Sequence, residues 1–109
     1  MTADCTFCGI VAGRVPAKVL YSDAHVVAFA SIDPKAPLHA LVVPRRHIAD
    51  VAALDDLELG GRLLAAAAAV AREAGYAERG FRLVTNTGPD AGQSVFHLHV
   101  HVLAGRHLD

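Results

Sequence analysis

The chain has 109 residues, ten Lys and Arg against eleven Asp and Glu, a formal net charge of -1, and 53% hydrophobic residues. That length suits one core rather than two, so residues 1–109 are read as a single domain. The balanced charge offers no field for a nucleic-acid polymer, no apolar run is long enough to span a membrane, and the first residues lack a basic segment followed by an apolar leader, so a cytoplasmic protein acting on a small ligand is expected.

In chain order, "CTFCGIVAGRVP" predicts a short helix: Phe7, Ile10 and Val11 fall at i, i+3 and i+4, and Gly13 closes it before a proline. "KVLYS" and "HVVAFAS", rich in β-branched and aromatic residues and flanking "SDA", predict a hairpin. After the turn "IDPKAP", the run "LHALVVP" predicts a third strand with His39 and Leu41 on one face and Leu38, Ala40 and Val42 on the other. A long helix is expected from Asp55, with Glu58 completing a capping box, Leu54 and Leu59 forming a staple, an apolar stripe of Leu59, Leu63, Ala66, Val70 and Ala74, and a stop at Gly75. "FRLVTN" predicts a fourth strand, "TGPDAG" a tight loop, and "QSVFHLHVHVL" a fifth strand. Strands joined mainly by turns, with one long helix between the third and fourth, predict an α+β fold: a mostly antiparallel five-stranded sheet with two helices packed on one face.

The last strand carries the chemistry. Period two places His97, His99 and His101 on one face, and Phe96, Leu98, Val100 and Val102 on the other, toward the core. A chance row of surface or satisfied core histidines accounts for single residues and not for three at one spacing. A neutral imidazole attacks phosphorus well, provided its other ring nitrogen is held, as a backbone carbonyl accepting from it would do by fixing the tautomer, and His101 stands where it can hydrogen-bond the phosphate or the leaving atom. Just upstream, "NTGPDAGQS" lies between strands, so it is no P-loop. Gly88 and Gly92 permit turns whose N–H groups converge, and Gln93 and Ser94 add donors, so the loop reads as a phosphate site, against the alternative of an ordinary hairpin loop.

Cys5 and Cys8 form a C-x-x-C on the first helix, open to three readings: a redox pair, which lacks the strand that should precede it, two buried structural cysteines, or two ligands of a zinc site.

"HLHVHVL" matches the motif of the histidine-triad superfamily, and "GQS" just before it resembles the Hint branch. "PKAPLHALVVPRRHI" and "FCGIVAGRVPAKVLYSDAHVVAF" extend the resemblance over almost the whole chain in the family's order. The resemblance implies a homodimer with two joined sheets that binds purine nucleotides of the AMP or GMP type and cleaves phosphoramidates or related phosphate esters and anhydrides. It implies His99 as nucleophile, with His39, His97 and His101 completing the set and Asn86, Gln93 and Ser94 around the phosphate. It also implies a structural zinc held by Cys5, Cys8, His47 and His97, with no cofactor required for catalysis. From the apolar surplus and the joined sheets, the interface is expected at the long helix near Leu63 and at "FRLVTN". Two departures matter: Ser31 stands where relatives carry a ribose-binding acid, with Asp33 two positions on, and the chain ends at "AGRHLD" without a Trp-containing tail. Relaxed discrimination between ribose and deoxyribose is expected, because a charge-assisted contact is lost, and a preference for aminoacyl-nucleotides does not carry over. His25 and His107 read as surface residues. Two rival functions remain: a metal-dependent hydrolase holding one zinc with His97, His99 and His101, and a nucleotide-binding regulatory module with little turnover.

Overall fold

A computed structural model describes residues 5–109. The first four residues of the span read as one domain, and with them the start of the segment examined for a leader, lie outside the described residues. Five strands form one antiparallel sheet in the order β1-β2-β3-β5-β4: β1 Val19–Ser22, β2 Val26–Ala30, β3 Leu38–Pro44, β4 Arg82–Val84 and β5 Val100–Ala104. Helix α1 is Thr6–Val11 and helix α2 is Leu57–Glu73, with single 3-10 turns at Val51–Ala53 and Pro89–Ala91. The α+β fold with two helices is as expected. The helices do not share one face of the sheet, however.

Alternation along the central strands explains this arrangement. Val26 and Ala28 of β2, Ala40 and Val42 of β3, and Val100 and Val102 of β5 pack with Leu59, Leu63, Ala66, Ala67, Val70 and Ala71 of α2. The intervening Val27, Phe29, Leu41 and Val43 face the other way and bury Phe7 of α1, with Cys5, Ile10 and Val11 packed alongside. The middle of the sheet is therefore covered on both faces, and its strands read as nearly continuous apolar runs. The single apolar stripe of α2 meets the broader core, while α1, only 6 residues long, is held by Phe7 and by its cysteines.

Three expectations need correction. The α2 cap is Asp56, whose carboxylate accepts from the Leu59 N–H at 3.1 Å; Asp55 instead faces Arg46 at 3.5 Å, so the capping box does not form. Asp56 takes the position because its extended backbone lets the carboxylate reach the third amide on. Ala74 is exposed and serves as the C-cap, and the buried stripe runs instead through Ala67 and Ala71, because the helix ends before its next turn reaches the sheet. Lastly, strand pairing in the histidine segment starts only at Val100, and Phe96 is 52% exposed rather than in the core. Residues 93–99 are drawn to a different partner: the Leu98 N–H bonds the Ile48 carbonyl at 2.6 Å, and the Gln93 carboxamide bonds the Ala49 carbonyl at 2.8 Å. The fourth strand is likewise confined to Arg82–Val84. Among the described residues, no helix is long and apolar enough to cross a membrane.

Candidate active site and metal cluster

The four histidines on the α1 side of the sheet form a row of rings. His39 and His101 lie 5.1 Å apart by centroid and His101 and His99 also 5.1 Å, while Phe7 packs edge-on against both His99 and His97 at 5.1 and 6.0 Å. Two strands bring the first pair together: Leu41 is the cross-strand partner of His101 and Leu103 that of His39, so the imidazoles meet on the diagonal. His97 is fully buried, and His99 and His39 are nearly so. His25 and His107 are exposed, as expected.

The hydrogen bonds decide what each ring can do, because main-chain groups have only one role. The carbonyl of His97 can only accept, so at 2.7 Å from His99 Nδ1 it requires the proton there, leaving the Nε2 lone pair of His99 bare. The Lys35 N–H can only donate, so His39 Nδ1, at 3.0 Å, must accept. Neutral His39 then carries its proton on Nε2 and donates it to His101 Nδ1 at 2.9 Å, which leaves His101 with its proton on Nε2. Two adjacent imidazoles thus present opposite functions, a bare nitrogen on His99 and an N–H on His101. Burial, reinforced by His99 and His39, pushes His101 down to about 4. Burial and then Lys35 push His39 below the ordinary imidazole value. The Thr85 hydroxyl donates to the His99 carbonyl at 2.9 Å and steadies the main chain beneath the row.

The loop before the histidines is more self-contained than its sequence suggested. Gly88 N–H donates to Gln93 Oε1, Gln93 N–H to the Gly88 carbonyl and Gly92 N–H to that of Pro89, so these amides close the loop instead of converging outward. Gln93 Nε2 is divided between the carbonyls of Ala49 and Val95, and Asn86 donates to Ala91. Gly88 and Gly92 have φ of 82 and 87, values that a side chain would strain. Ser94 lies exposed at the end of this loop and bonds no other described residue. Ser31 Oγ accepts from the Asp33 N–H at 3.2 Å, and Asp33 pairs with Lys35 at 2.7 Å, which holds its carboxyl below the ordinary range.

His97 turns away from His99 and His101. Its Nε2 donates to the Pro44 carbonyl at 2.9 Å, so the Nδ1 lone pair points at Cys5 and Cys8, with each sulfur 3.4 Å away. His47 Nδ1 stands 3.2 Å from Cys8 Sγ, and the four ligand atoms lie within 4.8 Å of one another. Ligands of a tetrahedral zinc with Zn–S near 2.3 Å and Zn–N near 2.0 Å would sit about 3.6 Å apart, so this donor set fits the ion. Among the described residues no other group of three or more potential ligands is brought together. The arrangement of one metal on His97, His99 and His101 is not formed.

Sequence reasoning called for a backbone carbonyl on the other ring nitrogen of an attacking histidine but did not identify the main-chain partners themselves, the Lys35 amide and the carbonyls of Pro44 and His97, and it missed Thr85 and the Phe7 ring. Every residue type offers a main-chain amide or carbonyl, so no sequence signal marks the first three. Thr85 and Phe7 were visible only as strand and helix residues.

Comparison with known proteins was consistent with this geometry. The model of the HIT domain matches residues 12–108. An uncharacterized HIT-like protein of Synechococcus elongatus is 42% identical over 110 residues, covering 99% of this chain and 96% of its own. The purine nucleoside phosphoramidase of Escherichia coli K12 is 40% identical over 111 residues, covering 99% and 92%. The crystal structure of a HIT family hydrolase from Legionella pneumophila superposes with a TM-score of 0.94 at 40% identity, covering 97% of this chain and 96% of that one.

The displaced His101 value makes a stability prediction. From the ordinary 6.5 down to about 4, the unfolded chain binds a proton that the folded chain refuses, so stability is complete above 6.5 and is lost as pH falls through that window. Urea midpoints at pH 7.5, 5.5 and 4.5 should fall in that order, and His101→Asn should flatten the slope. Equal slopes in the two proteins would exclude His101 as the source.

Proposed function

The chain belongs to the HIT domain family, and on that premise we propose that it is a purine nucleotide-binding hydrolase or transferase that cleaves nucleoside phosphoramidates or related anhydrides through a nucleotidyl-histidine intermediate. The observation that carries this reading is the opposed pair of ring nitrogens, a bare Nε2 on His99 beside an N–H on His101. His99 Nε2 attacks phosphorus and the bond to the leaving nitrogen or oxygen breaks. As the ring gains positive charge, its Nδ1–H bond to the His97 carbonyl strengthens and keeps it aligned. Water then displaces the imidazole from phosphorus, releasing the nucleoside monophosphate and restoring His99. His101, neutral at pH 7, donates to a phosphate oxygen or to the leaving atom, and His39 holds it there. Ser94 offers its amide and hydroxyl to the phosphate, while Asn86, Gly92 and Gln93 shape the loop that presents it. Ser31 and Asp33, on the turn whose Lys35 amide reaches His39, are assigned to the ribose. The similarity to the phosphoramidase of Escherichia coli supports this substrate class.

A zinc ion held by Cys5, Cys8, His47 and His97 would supply structure and no chemistry, pinning α1 to the sheet. A homodimer accompanies this reading. Leu57 and Leu64 on α2 are 95% and 55% exposed, and an apolar recess of about 350 Å³ beside them is lined by Leu54, Leu63, Leu98 and Val100. The recess opens next to Thr85, just past the edge strand β4, where a second sheet can continue the first. Residues 1–109 then act as one domain, in the cytoplasm.

The decisive experiment quenches turnover of an adenosine phosphoramidate and maps the adduct by mass spectrometry. The expected adduct is a nucleoside monophosphate on His99. His99→Asn should lose roughly three powers of ten or more in turnover and still bind nucleotide, and His101→Ala should lose roughly 10² to 10⁴. An adduct on another residue, or near-normal turnover by His99→Asn, refutes the mechanism, and binding without any turnover by the native chain favours a regulatory module.

Metal analysis of protein prepared without chelator should find close to one zinc per chain, with a sharp fall in Cys5→Ser. Metal-free native protein would remove zinc from this account.

Sedimentation at micromolar concentration should show a species of twice 11.4 kDa. A monomer alone would contradict the dimer.

A further inference from the structure

The donor character of His101 originates outside the row of histidines, at the main-chain amide of Lys35, which forces His39 to accept on Nδ1. That amide belongs to an exposed turn, where hydrogen bonds are weakly protected and local opening costs little. Ser31 N–H on the His39 carbonyl and the Asp33–Lys35 pair close the turn from within, and the contact that reaches the Lys35 main chain from outside comes from the far end of β5. Arg106 Nε donates to the Lys35 carbonyl at 2.9 Å, on the same residue whose amide reaches His39, and Arg106 Nη1 donates to the His107 carbonyl, also at 2.9 Å. Beside it, Gly105 packs so tightly on the turn that an added Cβ would lie 2.7 Å from Pro37 and 2.9 Å from the Tyr76 hydroxyl. Its φ of +102 is open to glycine and costly for other residues.

We propose that Arg106 is a positioning residue of the active site: by holding the Lys35 carbonyl it fixes the Lys35 amide on His39, and thereby sets His39 and His101 as Nε2–H tautomers. The guanidinium touches neither ring. Its bond is charge-assisted, and such bonds are short and directional, so it restrains the 33–37 turn more firmly than a neutral contact would. Without it the turn loosens, His39 Nδ1 loses its obligatory donor, and both neutral tautomers of His39 become available. The fraction with the proton on Nδ1 cannot donate to His101, which in turn can reverse its own proton and present a bare nitrogen where an N–H is needed. Ser31 and Asp33 sit on the same turn, so substrate affinity is coupled to the same anchor.

The inference rests on the proposed role of His101, and its test separates the two. Two-bond proton–nitrogen correlation spectra of the imidazoles report which ring nitrogen carries the proton. In the native protein at pH 7.5, His39 and His101 should both show the proton on Nε2. In Arg106→Ala, the His39 signals should move toward an average of the two tautomers, with kcat on an adenosine phosphoramidate about threefold to tenfold lower. The thermal midpoint should be nearly unchanged, since Arg106 is exposed. Arg106→Lys, whose ammonium can reach the same carbonyl, should recover both the ring pattern and much of kcat, which a loss of fold stability alone would not explain. Native His39 with its proton on Nδ1 overturns the proposal. So does Arg106→Ala with native ring signals and native kcat, or a lysine variant no better than the alanine. Should the native chain turn over no phosphoramidate, the catalytic reading fails while the ring spectra still decide the part played by Arg106.

Discussion

The hydrogen bond from His99 Nδ1 to the carbonyl two residues behind it is the constraint on which the rest of the site depends. A carbonyl inside a β ladder is already taken by the neighbouring strand. The His97 carbonyl is available to a side chain because pairing in this segment begins only at Val100. The interruption is held in place by bonds made elsewhere, from the Leu98 amide to Ile48 and from Gln93 to Ala49. What looks like a shortened strand is therefore what leaves the Nε2 lone pair of His99 bare. A fully paired strand would have kept the histidines on one face and taken away the acceptor that orders the middle one.

The same segment joins two sites with different chemistry. His97 gives its ring to the cysteine cluster and its carbonyl to His99. Phe7 lies between the two cysteines in sequence and packs against both rings. Helix α1 is too short to hold itself, so whatever fixes Cys5 and Cys8 also fixes the aromatic wall behind His99. On the opposite face of the sheet, α2 and the buried aliphatic residues of β2, β3 and β5 supply the rigid support. That the histidines fall on the α1 side and not among the aliphatic residues under α2 follows from strand alternation.

Main-chain polarity does more in this site than any side-chain charge. Among the described residues no carboxylate orients an imidazole of the row: the carbonyls of Pro44 and His97 and the amide of Lys35 do so instead. Such partners fix a tautomer unconditionally, because a carbonyl never donates and an amide never accepts.

Much of this could be read from the residues. Period-two alternation in "LHALVVP" located β3 and faced His39 correctly, because a buried strand in a sheet has no other way to sort its side chains. The glycine stops at Gly13 and Gly75 were legible because a positive φ excludes most other residues. The resemblance of the histidine motif supplied the family and the four residues Cys5, Cys8, His47 and His97, and the fold brings those four together. Local pattern failed at Phe96, where bonds from Leu98 and Gln93 to the distant residues Ile48 and Ala49 outweighed strand alternation, at Asp55 against Asp56, where backbone conformation chose between two adjacent caps, and in the loop from Asn86 to Ser94, whose polar groups bond mainly one another. By itself, then, the sequence determined the elements and most of their buried faces, and it marked the histidines and cysteines that the fold gathers, since those depend on side-chain type and spacing along the chain. Only the tertiary structure decided which nitrogen of each histidine bears the proton, because that is set by main-chain groups many residues away, which are alike in every amino acid and take on a direction only once the chain is folded.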